Sequence, residues 1–368
     1  MSEPAHAPLP PSSADRWVNC GRSPSLEAAF PDLNGSDESE EGTAAHWLLA
    51  EALHGRAHPA GTIAENGIPV TDEMVRHIGP LVGSIQAVVA TVKGSELQIE
   101  RRVFAKSVHR DNWGTCDAFI IDVPDKVVYV WDFKYGFGFV DHIGNWQLID
   151  YAQGVIDSHA LIPGDYRIEM TIYQPRCYQA DAAMRKWVIS GQEHAELVDK
   201  LRMAAKLVSP NSAATTGPHC KHCRGIPACE ANRRMVGYIC DQSLKTGSDL
   251  PAPSALGSEY ALLLESQARL KARIVGLEAA ISANPAGTGW VVEQKDGREK
   301  WASPVAEVFA LGDMMGVDLR KPPEAITPVQ AREKGLDAEV SKAYSVKTKG
   351  EPKLVRATAS AAALAFSK

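Results

Sequence analysis

The spacing of apolar and polar positions changes period along this chain, and each change marks an element. From Gly114 to Gly136 the run GTCDAFIIDVPDKVVYVWDFKYG holds two short apolar stretches bounded by turn residues. CDAFIID and KVVYVWDFKYG are rich in β-branched and aromatic residues, and VPDK between them carries the Pro and Asp of a tight reversal, so strand, turn and strand are predicted. Side chains alternate across a strand, which puts Asp132 and Lys134 on one face and Trp131 and Phe133 on the other. Upstream, ELQIERRVFAK alternates through Leu97, Ile99, Arg101 and Val103 and predicts a strand with Glu100 opposite Ile99. Downstream, DYRIEMTIYQP predicts a further strand of the same sheet.

Helical spacing governs much of the remainder. GTAAHWLLAEALHG stacks Ala45, Leu48, Leu49 and Ala52 on one face, with His46 in the expected first turn. Thr71 to Val92 reads as a helix capped by Thr71 or Asp72, and Asn145 to His159 as another, on which Gln147 and Tyr151 are four apart and share a face. Further helices are expected over Glu193 to Val208, Ser258 to Ala283 and Ser303 to Gly316. GWVVEQKDGREKW reads as a short hairpin, and the last fifty residues read as irregular. Residues 1–13, rich in Pro, Ala and Ser, are expected to be a disordered lead, and the prolines after Asp249 suggest a boundary. The expected divisions are thus 1–13, a domain over 14–245, a linker over 246–257 and an α+β region over 258–368.

Composition narrows the class. At 368 residues, 45% hydrophobic and 23% charged, the chain has room for one large domain and a smaller one. No uninterrupted apolar window reaches membrane-spanning length and the N-terminus lacks a secretory pattern, so a cytoplasmic protein is expected. The net charge of −6 hides an asymmetry: the first 41 residues hold eight acids and two bases, while Ser341 to Lys368 holds six bases and one acid. Arg101, Arg102, Lys106, His109 and Arg110 make the most basic segment of the first half. Seven cysteines without an export signal argue against a disulfide framework and leave metal binding open.

Candidate chemistry centres on the hairpin. Cleaving a phosphodiester needs a positioned water, neutralised phosphate charge and relief for the leaving oxygen, which carboxylates holding Mg2+ or Mn2+ beside a lysine can supply. Acid-x-Lys occurs three times, at Asp132-Phe-Lys134, Glu293-Gln-Lys295 and Glu351-Pro-Lys353. Only the first ends an apolar strand, follows a glycine-led strand bearing Asp117 and precedes a helix bearing Gln147 and Tyr151.

With GTCDA, WDFKYG and QLIDY in this order, the segment resembles the PD-(D/E)xK nuclease superfamily, and within it the RecB-like, AddB-type branch, with a phage-borne member as the expected source. The glycine-led His46 matches that branch's upstream histidine. The resemblance implies an α/β fold with a restriction-endonuclease-like αβββαβ core, helical additions and a smaller, mainly helical C-terminal region. It also implies that His46, Asp117, Asp132 and the carbonyl of Phe133 hold the metal, that Lys134 activates water, and that Gln147 and Tyr151 contact DNA or brace the site. Glu100 is either a further acidic ligand or a surface glutamate. Cys220, Cys223 and Cys229, with Cys20 far upstream, match the iron–sulfur staple of that branch. Four thiolates suit a [4Fe-4S] cluster or Zn2+, and Cys240 could replace Cys20 in a local zinc knuckle. The function implied is a DNA exonuclease that prepares ends in a bacterial host cell, with a phage single-strand annealing protein as partner. The alternatives are RNA cleavage and a DNA-end-binding protein that keeps the fold and cleaves nothing.

Overall fold

The computed structural model describes residues 7–30, 37–92, 94, 96–177, 182–243, 253–293, 296–301, 303–319, 328–333, 335–349 and 353–356. The chain divides into two compact units, Met1–Leu277 and Glu278–Lys368.

In the first unit α1 (Ala14–Asn19), α2 (Ser23–Glu27), α3 (Asp37–Leu53) and α4 (Asp72–Thr91) precede β1 (Gln98–Phe104), β2 (Trp113–Asp122) and β3 (Val127–Phe133). Then come α5 (Trp146–Ser158), β4 (Arg167–Tyr173), β5 (Met184–Ile189), α6 (Gly191–Lys206), α7 (Glu230–Ser243) and α8 (Pro253–Ala283). The protein is therefore α/β, built on a mixed five-stranded sheet in the order β1-β2-β3-β4-β5. The β1–β2, β2–β3 and β4–β5 pairs are antiparallel. β3 and β4 are parallel, as a crossover through a helix requires, and α5 is that helix.

Each face of the sheet is covered. Ala118, Ile120, Trp131 and Phe133 pack with Leu48 and Leu49 of α3 and Met74, Leu81 and Ile85 of α4. On the other face Phe119, Val128, Val130, Ile168 and Met170 meet Leu148, Ala152, Val155 and Ile156 of α5. α5 is buried continuously from Leu148 to Ile156, because a third cluster of Leu9, Trp17, Val108, Ile149 and Leu201 closes over its outer side. Truncating a fully buried ring such as Phe119 to Ala costs about 3–5 kcal/mol.

Local chemistry sets the helix ends. Thr71 Oγ1 accepts from the Met74 amide at 3.1 Å and Asn145 Oδ1 from the Leu148 amide at 3.2 Å, so the expected starts of α4 and α5 hold. α3 starts earlier than its apolar spacing suggests: Asp37, Glu38, Glu40 and Glu41 favour the helix N-terminus, and His46 falls in mid-helix.

Other expectations are corrected. Residues 7–13 are not a disordered lead: Leu9 is buried, its amide donates to Asp111 O at 3.3 Å, and Pro10 O accepts from Trp17 Nε1 at 3.2 Å. β5 was not foreseen, since MRKWVI shows little alternation, and pairing with β4 defines it. The long helix contributes to the first unit as far as Leu277, because Ala272 packs beside Cys220 and Ile226 and Arg273 Nη1 donates to Ile226 O at 3.1 Å. Residues 246–252 of the expected linker lie outside the described residues.

The second unit carries β6 (Trp290–Glu293), β7 (Asp296–Trp301), α9 (Val305–Met315), α10 (Pro328–Glu333), α11 (Ala338–Tyr344), β8 (Ser345–Lys349) and β9 (Lys353–Arg356). Instead of a β6–β7 hairpin, β6 pairs with β9 and β7 with β8. The end of the chain, read as irregular, thus supplies both partner strands. Much of the basic tail, residues 350–352 and 357–368, lies outside the described residues. Among the described residues no helix is long and apolar enough to cross a membrane.

A buried acid yields the first prediction. Asp150 is fully buried, and Asn112 Nδ2 donates to both its oxygens at 2.9 Å. Burial raises its pKa from 3.8 to about 7, against the opposing Asn112 hydrogen bond. A carboxyl whose folded pKa is raised contributes its stability in full below the unfolded value and loses it as pH climbs through the folded one. Asp150→Asn therefore stabilises the protein relative to wild type increasingly between pH 4 and 7, by up to about 1.4 kcal/mol per pH unit. Urea unfolding at pH 5, 6, 7 and 8 measures this difference, and a difference independent of pH contradicts it.

Candidate metal centre and cysteine clasp

Asp117 on β2 and Asp132 on β3 stand on neighbouring strands where hydrogen bonding between the strands ends. Asp117 Oδ2 accepts from the Phe133 amide at 2.6 Å. The main chain of Phe133 thus contacts the site through its N–H. Asp117 Oδ1 lies 3.3 Å from His46 Nδ1, and Glu100 Oε1 lies 3.9 Å from the same nitrogen. His46, Glu100 and Asp117 each offer a ligand atom within 4.8 Å of the others, and they are the one such group among the described residues.

Glu100 reaches this group through unusual backbone. Its φ of 46° lies in the left-handed region, inside β1, and the pairing that joins Ile99 to Ala118 and Arg101 to Cys116 passes over it. A non-glycine residue so placed costs about 1–3 kcal/mol and persists only where its surroundings impose it. Glu100 is an exposed residue whose carboxylate nonetheless lies beside His46 and Asp117. Period-two alternation could not show this, since it presumes regular backbone.

Asp132 faces the α5 side and stands outside the three-residue group. Its Oδ2 is 3.0 Å from Lys134 Nζ, and its Oδ1 accepts from Gln147 Nε2 at 3.1 Å. Lys134 Nζ also donates to Gln147 Oε1 at 3.0 Å, closing a ring of three polar side chains. Tyr151, one turn along α5 and hydrogen-bonded to Gln147, is buried, so it braces this ring from below. Gly114 leaves the room: a Cβ there would stand 2.8 Å from Pro11 Cδ and 3.2 Å from Tyr151 Cε1. The two remaining acid-x-Lys matches fall partly outside the described residues, at Lys295 and Glu351.

The charged groups of this corner shift one another. Burial opposes charge on His46, yet the adjacent Asp117 carboxylate more than offsets it and raises the imidazole to about 9. Burial likewise opposes charge on Asp117, and His46 beside it pulls that carboxyl below its usual value. Glu100 is pushed up to about 7 by burial and by Asp117. Asp132 is raised by burial, with Lys134 pulling the other way and Asp117 adding to the rise. Two carboxylates and an imidazole form a hard N/O donor set that fits Mn2+ or Mg2+.

The cysteines lie at a second place. Cys20 follows α1, and His219 hydrogen-bonds both Cys20 and Cys220. Despite burial, which opposes the thiolate, His219 lowers Cys20 to about 7 and also lowers Cys220. Burial, with Glu27 nearby, raises Cys223 to about 12. Cys229 Sγ accepts from the Asn232 amide at 3.4 Å. Further contacts clasp the chain here: Thr215 Oγ1 donates to Asn19 O, the Arg224 amide to Glu27 Oε1 at 3.2 Å, and the Ser209 amide to Gly21 O at 3.1 Å. Gly225 lets the cysteine loop lie on α2, where a Cβ would stand 2.5 Å from Leu26 Cβ. No three of these thiols lie within 4.8 Å of one another. The side chain of Cys240 lies outside the described residues.

Residues 6–284 match a family model described as "Protein of unknown function (DUF2800)", which spans both the candidate metal centre and the cysteine clasp. The chain belongs to the DUF2800 family. Among solved structures, the one described as "Crystal structure of SSO0001" is similar at 12% identity over 57% of this chain and 81% of that chain, with a TM-score of 0.23. That likeness carries no argument about fold or function.

For this DUF2800 chain, His46→Ala and Asp117→Asn are each expected to weaken Mn2+ binding by at least ~10-fold, comparable to the loss on disturbing metal-site partners. Calorimetric titration of Mn2+ into each variant checks this, and unchanged affinity in both removes the site.

Proposed function

We propose that this protein is a divalent-metal-dependent DNA nuclease of the PD-(D/E)xK type that processes DNA ends. One observation carries the reading. The His46–Glu100–Asp117 donor group and the Asp132–Lys134–Gln147 ring occupy the same corner of the sheet, joined by the Asp117 to Phe133 main-chain contact. The element order α3, α4, β1, β2, β3, α5, β4 is compatible with the αβββαβ core of that superfamily, with β5 added at the edge.

A bound divalent cation supplies Lewis-acid relief of phosphate charge and a more acidic water. The chain's own groups do the remaining work. Asp117, Glu100 and His46 are the donors that would hold the cation. Lys134 carries a positive charge fixed between Asp132 and Gln147, able to orient water by hydrogen bonding and to stabilise charge on the phosphoryl oxygens. Asp132 sets the position of that ammonium, and Gln147 ties both to α5. Arg101 and Arg102 on β1, with Lys106 and Arg110 after it, bring positive charge suited to a phosphate backbone.

The cysteine clasp supports a subsidiary proposal. Cys220, Cys223 and Cys229 on one short segment, with Cys20 linked to it through His219, are the thiols that would hold a [4Fe-4S] cluster or Zn2+. Cys20→Ser is expected to abolish absorbance near roughly 400 nm, the thiolate-to-iron region, in anaerobically purified protein. An undiminished spectrum in that variant excludes Cys20 as a ligand.

Activity is tested with end-labelled linear DNA and Mn2+. Wild type should shorten the DNA, and Asp132→Ala and Lys134→Ala should each slow it by at least ~100-fold, the scale of losing a charge-stabilising group. If wild type and variants leave labelled DNA equally intact, the nuclease reading fails and an end-binding protein becomes the better account.

A further inference from the structure

Between β3 and α5 the chain runs Lys134-Tyr-Gly-Phe-Gly-Phe-Val-Asp-His-Ile-Gly-Asn-Trp-Gln147, and both ends of this loop are site residues. The 3.0 Å contact between Lys134 Nζ and Gln147 Oε1 closes its neck. One side chain shapes the segment that follows Lys134. Gln174, 1% exposed just beyond β4, donates from Nε2 to Gly136 O at 3.0 Å and to Gly138 O at 2.6 Å. Its Oε1 accepts from the Val140 amide at 3.3 Å and from Arg185 Nη2 at 2.9 Å. The polar main chain at 136, 138 and 140 is thus drawn inward, and the residues between, Phe137 and Phe139, stand outward with 48% and 45% of their surface exposed.

Exposed phenylalanines on a loop held this firmly are unlike scattered surface apolar residues, because each ring is backed by a guanidinium. Arg176 lies 4.1 Å from the Phe137 centroid and Arg185 lies 4.6 Å from that of Phe139. Arg176 is neutralised by Glu41 at 2.6 Å. Arg185 is only 8% exposed, and among the described residues its Nε and Nη1 have no hydrogen-bond partner. Lys221 Nζ comes within 3.6 Å of the point where a Cβ on Gly138 would stand. The loop therefore offers aromatic surface set among cations. Phe137 is three residues from Lys134, so their Cα atoms lie within about 11 Å of each other.

A protein partner would favour a continuous apolar patch, whereas these rings are separated by glycine and lie beside the guanidiniums of Arg176 and Arg185 and near Lys221. Duplex DNA keeps its base faces stacked on one another. An unpaired strand presents both base faces and phosphates, which is the combination that aromatic rings beside cations recognise. We propose that Phe137 and Phe139 form a stacking platform for the bases of an unpaired DNA strand, which delivers a single-stranded or frayed end to the neighbouring centre. The purpose assigned to the strand rests on the nuclease reading; the platform itself does not.

The test is fluorescence anisotropy of the full chain with a labelled oligo-dT of about 15 nucleotides, in EDTA so that cleavage plays no part. Wild type is expected to bind oligo-dT more tightly than a blunt duplex of equal length. Phe137→Ala/Phe139→Ala should weaken oligo-dT binding by roughly 5- to 150-fold per ring lost. Phe137→Tyr/Phe139→Tyr, which keeps both rings, should restore it. Equal affinity of wild type and the double Ala variant, or a Tyr variant as weak as the Ala variant, overturns the platform. If Mn2+-dependent cleavage is absent while oligo-dT binding still depends on the rings, the nuclease reading fails and the platform stands. If Asp132→Ala abolishes cleavage while the double Ala variant binds oligo-dT like wild type, the platform fails and the nuclease reading stands.

Discussion

Three acids crowded into one partly buried corner are the constraint on which the rest of this structure depends. Asp117 and Glu100 come from adjacent strands and Asp132 from the next, and burial alone would drive each toward its neutral form. The fold answers with positive charge from two directions. α3 places His46 against Asp117, and the residue two past Asp132 turns its ammonium back onto it. Gln147, from the crossover helix, then fixes ammonium and carboxylate together. The sheet, both covering layers and the strained backbone at Glu100 all bear on one charge-dense point.

That point needs rigid walls, and the covering layers supply them differently. α3 is tied at its N-terminal end by Arg176, which reaches from beyond β4 to Glu41, and by Asn66, whose Nδ2 donates to Glu40 O at 2.8 Å. α5 is buried along nine consecutive residues, so its register against the sheet cannot slide without opening the core. The outer wall of α5 is built partly from Leu9 and Trp17, near one end of the domain, and α1 is held in turn by the 209–229 segment through the Cys20–His219–Cys220 contacts. The cysteine clasp thus braces the layer that supports Gln147 and Tyr151.

Much of this was legible from the order of residues. The β2–β3 hairpin, the separation of Asp132 and Lys134 from Trp131 and Phe133, and the caps at Thr71 and Asn145 follow from short-range rules, because alternation and capping depend on neighbours within a few residues. Other features were not legible, and each depends on a partner distant in sequence. β5 exists because β4 offers an edge, and β6 and β7 are completed by β9 and β8 from the end of the chain. Leu9 looked like part of a polar, proline-rich lead until Trp17, Val108 and Leu201 were seen to enclose it.

Residue order alone carried the period of the central strands and of most helices, the residue types able to bind a divalent cation or a cluster, and their order along the chain. Tertiary structure alone decided which of them meet. Glu100 joins His46 and Asp117 because a backbone distortion defeats the alternation that would have turned it away. Asp132 is drawn to Lys134 and Gln147 instead of into the three-residue group, and Phe137 and Phe139 stand outward because Gln174 draws the intervening main chain inward. The reason is the same throughout: spacing in sequence fixes a side chain's direction only while the backbone stays regular, and at this site long-range hydrogen bonds and charge compensation set the backbone.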